Sequence, residues 1–204
     1  MNSGFKSQSV PSYRLLDEAQ IKQIHYATLD LLENSGVKVM DEEAREMLIE
    51  AGCRLKENDV IQIPNWIVED CIRSAPSRIT LYNRLGKEAM RLEANRIHYG
   101  MGTDLVQTYD LYTNELRQTT CSDIANAAKI ADALEEIDFV GSYAIPFDAP
   151  NNMGYVDSFK AELENSIKPI FYTAAGLEDI KIINEMAAAV VGGADILREK
   201  PIHV

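Results

Sequence analysis

The chain lacks an excess of positive charge: 20 of its 204 residues are Lys or Arg against 32 Asp or Glu, a formal charge of -12 at pH 7. No basic cluster stands out, which argues against a nucleic-acid footprint. Long apolar runs are missing too. The longest, Met186-Ala-Ala-Ala-Val-Val191, falls far short of the ~20 residues that cross a bilayer, and Met1–Val10 holds no apolar segment of a secretory leader. No membrane association and a cytoplasmic location are expected. Cysteine is scarce, with Cys53, Cys71 and Cys121 far apart, no C-x-x-C pair and no histidine at ligand spacing, so no metal site is expected. Cys71, between Val68 and Ile72 on an apolar helical face, reads as a small buried hydrophobe. Cys121 begins a helix, where a thiol pKa can fall, so a reactive and an inert thiol are both open there.

What is present is a regular alternation of elements. Asp17 with Gln20 fits a capping box, Ile21, Ile24, Thr28, Leu31 and Leu32 trace an apolar stripe, and Gly36 stops the helix. Val37–Met40 alternates like a strand, Asp41 caps a second helix that ends at Gly52, and Val60–Ile63 reads as another strand. Pro64 suits the first position of a third helix, which carries Trp66 as a core residue. His25 lies near the first apolar stripe, where a partly buried structural role is favoured over ligation. Arg78–Tyr82 and Met90–Leu92 flank a turn at Gly86. Residues 1–95 are thus read as a small α+β region.

From residue 96 the rhythm changes. Arg96-Ile-His-Tyr-Gly-Met-Gly-Thr-Asp104, Ile137-Asp-Phe-Val-Gly-Ser-Tyr143, Lys168-Pro-Ile-Phe-Tyr-Thr173 and Lys200-Pro-Ile-His-Val204 are short runs separated by helical patterns, the signature of parallel strands joined by crossover helices. Leu105–Tyr112 and Glu115–Gln118 add a hairpin around Thr113-Asn114. Helices are expected from Thr120, from about Tyr155 to Ile167, and from about Leu177 to Val191. The fold class is α/β: residues 96–204 read as the first four strands of a (β/α)8 TIM barrel, the N-terminal half, with the fourth run coinciding with the last residue.

The order and spacing of Leu16–Val39, Ile61–Val68, Ser74–Ser77, Leu81–Arg84, Tyr99-Gly-Met-Gly102, Ala131–Leu134 and Ile137–Gly141 resemble the trimethylamine methyltransferase (MttB-like) family, and the likeness covers essentially the whole chain. The resemblance implies a full (β/α)8 barrel. It also implies transfer of a methyl group from a quaternary or tertiary methylamine, such as glycine betaine or trimethylamine, to the Co(I) of a corrinoid protein. Some members that use trimethylamine carry pyrrolysine late in the barrel, outside the residues present here; most relatives lack it and act on quaternary amines such as glycine betaine, so a quaternary amine is preferred. No cofactor is expected on the chain itself. Cobalamin belongs on the partner corrinoid protein, since no D-x-H-x-x-G pattern occurs and Gly192-Gly193 is too short for a phosphate-binding loop.

Such a transfer needs no proton movement on the enzyme, because the departing amine is neutral and Co(I) is already nucleophilic. What it needs is orientation, exclusion of water and a cage for a cation. Each cation–π contact contributes roughly 0.5–2 kcal/mol. Barrel sites lie at the C-terminal ends of strands, which selects Gly100, Gly102, Thr103 and Asp104 after the first run, Tyr143 and Phe147 after the second, and Tyr172 and Thr173 after the third. Each has a plainer alternative: a tight turn for the glycines, a hairpin start for Asp104, packing for the tyrosines. His98 and His203 are read as core, and no catalytic residue is assigned. Two rivals remain. One is a non-catalytic half-barrel whose open edges drive homo-oligomer formation. The other is an unrelated barrel enzyme, against which the absence of H-x-H after the first run argues.

Overall fold

A computed structural model describes residues 13–94, 96–141, 143–150 and 153–204. Its first helix, α1 (Glu18–Asp30), begins with Asp17 accepting from the Gln20 amide while the Gln20 side chain accepts from the Asp17 amide. A π-helical turn, Leu31–Ser35, leads to Gly36 at φ 78°, where a Cβ would lie 2.5 Å from the Ile61 carbonyl oxygen. Only glycine fits that approach. Next come β1 (Val37–Lys38) and α2 (Glu42–Glu50), the latter capped by Asp41 through the Ala44 amide. An unexpected short strand, β2 (Arg54–Leu55), joins β3 (Val60–Gln62) to complete an antiparallel sheet of order β1-β3-β2. Pro64 is the N-cap of α3 (Asn65–Ser74), not its first helical residue.

The chain forms two compact units, Met1–Pro76 and Ser77–Val204. Several side chains of the first depart from the sequence reading. Trp66 is 58% exposed, its ring over the Gly52 turn, and Cys71 is exposed while Cys53 is buried. Ile21, Ile24 and Leu31 of the expected stripe are exposed, whereas Leu29 is buried. The reason is geometric: a sheet with strands of two or three residues covers only a narrow line of each helix. His25 takes its structural role, with Nε2 2.8 Å from Glu69 Oε1 on α3.

The second unit begins with the hairpin of β4 (Arg78–Tyr82) and β5 (Glu88–Glu93), so this division lies one hairpin before residue 95. Tyr82 N–H donates to the Pro201 carbonyl, Arg84 N–H to that of Ile167, and the Arg84 guanidinium to that of Leu163. A second hairpin, β6 (Gln107–Tyr109) and β7 (Leu116–Gln118), leads to α4 (Cys121–Ala133), which starts on a Thr120–Asp123 capping box. Then follow β8 (Val140–Gly141), α5 (Gly154–Asn165), β9 (Ile170–Phe171), α6 (Leu177–Val191) and an unexpected short helix, α7 (Ala194–Glu199). Residue 95, Ser142 of the second run and Met1–Val10, read above as holding no apolar leader segment, lie outside the described residues.

The four runs lie parallel in chain order: Gly100 bridges Phe139, β8 pairs with β9, and Ile170 bridges His203. The fold is mixed α/β, with no closed barrel among the described residues. Ala128 and Ala131 of α4, Val140, Phe159, Leu163, Ile170, Ile183, Ala187 and Ile202 form one buried cluster between these runs and the helices. Two polar devices lock α4 to β9. Lys168 Nζ donates to the carbonyls of Ala131, Leu134 and Ile137, each at 2.6 Å, and Asp132 accepts from the Ser166 hydroxyl and the Ile167 amide. No helix among the described residues is long and apolar enough to cross a membrane.

Candidate functional site

The parallel runs end on one side of the second unit, and small residues decide what meets there. A Cβ on Gly100 would run into the Phe139 ring, so glycine here makes room for an aromatic neighbour. Gly102 has open space around it. Gly141 lets the first run cross closely over the second, since a Cβ there would stand 3.2 Å from the Met101 carbonyl oxygen and 3.5 Å from Thr103 Cγ2. The crossing delivers Asp104, at φ 60°, to the third run, where the Thr173 hydroxyl lies 3.3 Å from Asp104 Oδ2. Asparagine and aspartate are the non-glycine residues that adopt such a φ most readily.

The aromatic candidates are less convergent. The Tyr143 hydroxyl lies 3.2 Å from Thr108 Oγ1, and its ring packs against the Ile124, Ala144 and Ala161 cluster. Tyr172 packs edge-on against Phe159 at 5.8 Å and tilted on His203 at 5.4 Å, against the main core. Phe147 is 70% exposed. The structure thus joins Asp104 to Thr173, leaves Gly102 and Phe147 open, and turns Tyr172 towards the helices. His98 is held by Asp138 at 3.3 Å and the Arg91 carbonyl at 3.1 Å. His203 Nε2 meets Asn184 Oδ1 at 2.9 Å, its Nδ1 is buried without a partner, and burial pushes its pKa down.

One residue escaped the sequence reading. Glu162 on α5 is fully buried, with Oε1 accepting from the Tyr143 amide at 3.1 Å and Oε2 lacking a hydrogen-bond partner. Burial pushes its carboxyl up to about 8, against the pull of the Tyr143 N–H. Its sequence signal was the position itself, an acidic residue three after Phe159 and directly before Leu163 on the apolar side of the helix. Cys121 is resolved in favour of inertness: burial and the neighbouring Asp148 carboxylate push its thiol up to about 11, overriding the helix terminus.

Around the hairpin into α4, Arg117 binds Asp110 at 3.0 Å and both Asp123 oxygens at 2.7 and 2.8 Å. The guanidinium holds the Asp123 carboxyl far below the usual carboxylate range. This network fixes the segment between Asp104 and the helix. A cavity of about 270 Å³, lined by Leu81, Met90, Leu92, Arg96, His98, Phe139 and Phe171 among others, touches none of the eight candidate residues. Among the described residues no three metal-ligating side chains come together.

The family model of trimethylamine methyltransferase (MTTB) matches residues 3–204. A trimethylamine methyltransferase of Desulfitobacterium hafniense is 35% identical over 189 residues, which is 91% of this chain and 38% of that protein. A glycine betaine methyltransferase from another strain of that species is 30% identical over 97% of this chain and 41% of its own length. A trimethylamine methyltransferase of Methanosarcina acetivorans is 29% identical over 98% and 42%. The chain therefore spans about two fifths of the length of these curated relatives. With essentially its whole length matched, the chain belongs to the trimethylamine methyltransferase family.

Proposed function

We propose that this chain forms part of the substrate-binding wall of a cytoplasmic amine methyltransferase that moves a methyl group from a quaternary or tertiary methylamine to the Co(I) of a corrinoid protein. Its four parallel runs would then belong to a (β/α)8 barrel whose active site lies at their C-terminal ends. The observation that carries the reading is Asp104, a carboxylate held at those ends by the Thr173 hydroxyl and by the close crossing at Gly141. Asp104 offers the charge opposite to a substrate ammonium, Thr173 fixes its direction, and Phe147 supplies an exposed aromatic face for the N-methyl groups. The corrinoid, borne by the partner protein and treated as the acceptor substrate, supplies the nucleophile that takes the methyl group. Trimethylamine and glycine betaine, which the relatives' names carry, are the candidate donors, and glycine betaine is preferred.

Calorimetric titration of the chain with glycine betaine and with trimethylammonium tests the reading. Binding of either that weakens about tenfold in Asp104→Asn, a loss of about 1.4 kcal/mol, with the urea midpoint unchanged, supports it. Equal affinities in wild type and variant, or binding of neither amine, overturn it.

A second reading, self-association, draws on the exposed apolar residues Ile97, Tyr99 and Phe171 on the first and third runs. Sedimentation across a hundredfold range of concentration separates it: a constant monomer mass removes it.

A further inference from the structure

A buried carboxyl with one oxygen unpartnered is an expensive group to keep inside a helix packed on three sides. Of the fully buried polar side chains among those described, Thr119, Ser158 and Ser166 are neutral, and Glu162 is the ionisable one. Among the described residues its hydrogen bond reaches out of α5 to the Tyr143 amide, two residues beyond β8. That amide begins the segment on which Tyr143 and Phe147 stand, and the segment's next ties are Leu105 N–H to the Tyr143 carbonyl, Ile145 N–H to the Leu105 carbonyl and Phe147 N–H to the Thr119 carbonyl. Glu162 is thus a helix-borne anchor for the backbone at the amino end of this loop, whose far end is tied to α4 by the Cys121 amide donating to Asp148.

We propose that Glu162 is a positioning residue, whose carboxyl oxygen sets the Tyr143 amide and through it the aromatic wall that follows β8. The inference rests on the site reading above for its functional meaning and on the Glu162–Tyr143 contact for its geometry. The group is protonated at neutral pH, because burial outweighs the N–H that favours its anion. The partly buried titratable groups on the packed helices are Cys121, Asp123 and Asp132 on α4, Tyr155 and Asp157 on α5 and Asp179 on α6; what shifts Glu162 is burial and the Tyr143 N–H, and β9 brings no charge. Ionisation of Glu162 is therefore felt first at Tyr143.

The test follows the Tyr143 amide resonance of the full chain from pH 5 to 9 without any amine, together with glycine betaine affinity. In the wild type the amide shift titrates with a midpoint near 8. In Glu162→Gln, which keeps the acceptor oxygen and removes the ionisation, the titration vanishes while amide protection and amine affinity stay within twofold. In Glu162→Met, both protection and affinity fall about tenfold or more. A Tyr143 amide that does not titrate, or one equally protected in Glu162→Met, overturns the proposal, as does loss of protection without loss of affinity. If wild type binds no amine, the functional reading fails separately and the amide titration alone decides the anchoring. If Glu162→Met does not fold, the glutamine variant still decides it.

Discussion

In the first unit, Leu29, Cys53 and Ile61 are the buried apolar residues among those described, while the second gathers nine buried side chains into one cluster around Phe159. Both units begin helices with the same chemistry: Asp17 and Gln20 cap α1 as Thr120 and Asp123 cap α4. Caps decide where a helix starts, whereas burial decides how much the helix contributes once formed. The first unit is thus rich in local instruction and poor in core. The second has both, and it can retain a buried acid.

The sharpest way to break this contrast is Phe159→Ala, expected to cost about 3–5 kcal/mol because the ring is fully buried. Urea denaturation followed by circular dichroism measures it, and a loss under 1 kcal/mol would place the core elsewhere. Next is Glu162→Gln. The folded-state pKa of about 8 lies above the ordinary 4.5, so between those values the native state holds more protons than the unfolded chain and wild-type stability falls as pH rises. The glutamine variant escapes that fall, gaining on the order of 3 kcal/mol at pH 7 and nothing at pH 4. Equal stability of the two proteins at both pH values would show the carboxyl to be solvated.

In the first unit, Leu29→Ala should cost about 2 kcal/mol, the lower end for a buried leucine, since Cys53 and Ile61 are the other buried apolar residues described there. Hydrogen exchange of the α1 amides reports it, and a loss as large as that of Phe159→Ala would erase the difference between the units. The smallest effect is Asp41→Ala, about 1 kcal/mol through the lost cap on α2. It is read as faster exchange of the Ala44 amide; unchanged exchange there would mean the cap contributes nothing.

Helix starts were legible because they depend on neighbours in sequence: Asp17, Asp41 and Thr120 cap as their spacing predicts. The hairpin turn at Asn114, φ 56°, was legible for the same reason. Burial was less so. Trp66, Cys71 and the Ile21–Ile24 stripe looked internal from periodicity, yet the narrow sheet opposite leaves them outside. In the candidate site, Asp104 and Thr173 were selected by their place at strand ends, and the structure brings them together. Glu162 showed only as an acidic residue on the apolar side of its helix; its contact with a backbone amide 19 residues away is encoded by no side-chain motif.

The three carbonyls gripped by Lys168 carry a consequence for how the end of α4 is joined to the third run. They lie at and just beyond the C-terminal end of α4, 31 to 37 residues earlier in the chain. Two of them already accept a backbone N–H, Ala131 from Leu134 and Leu134 from Ile137, both at 3.3 Å, so the ammonium is a second donor that fills their remaining lone pairs and ties the α4 terminus to the third run. The end of α4 and the start of β9 are thereby held by one side chain. A Lys168→Met chain would be left with a ragged α4 terminus and a β9 that docks without its latch.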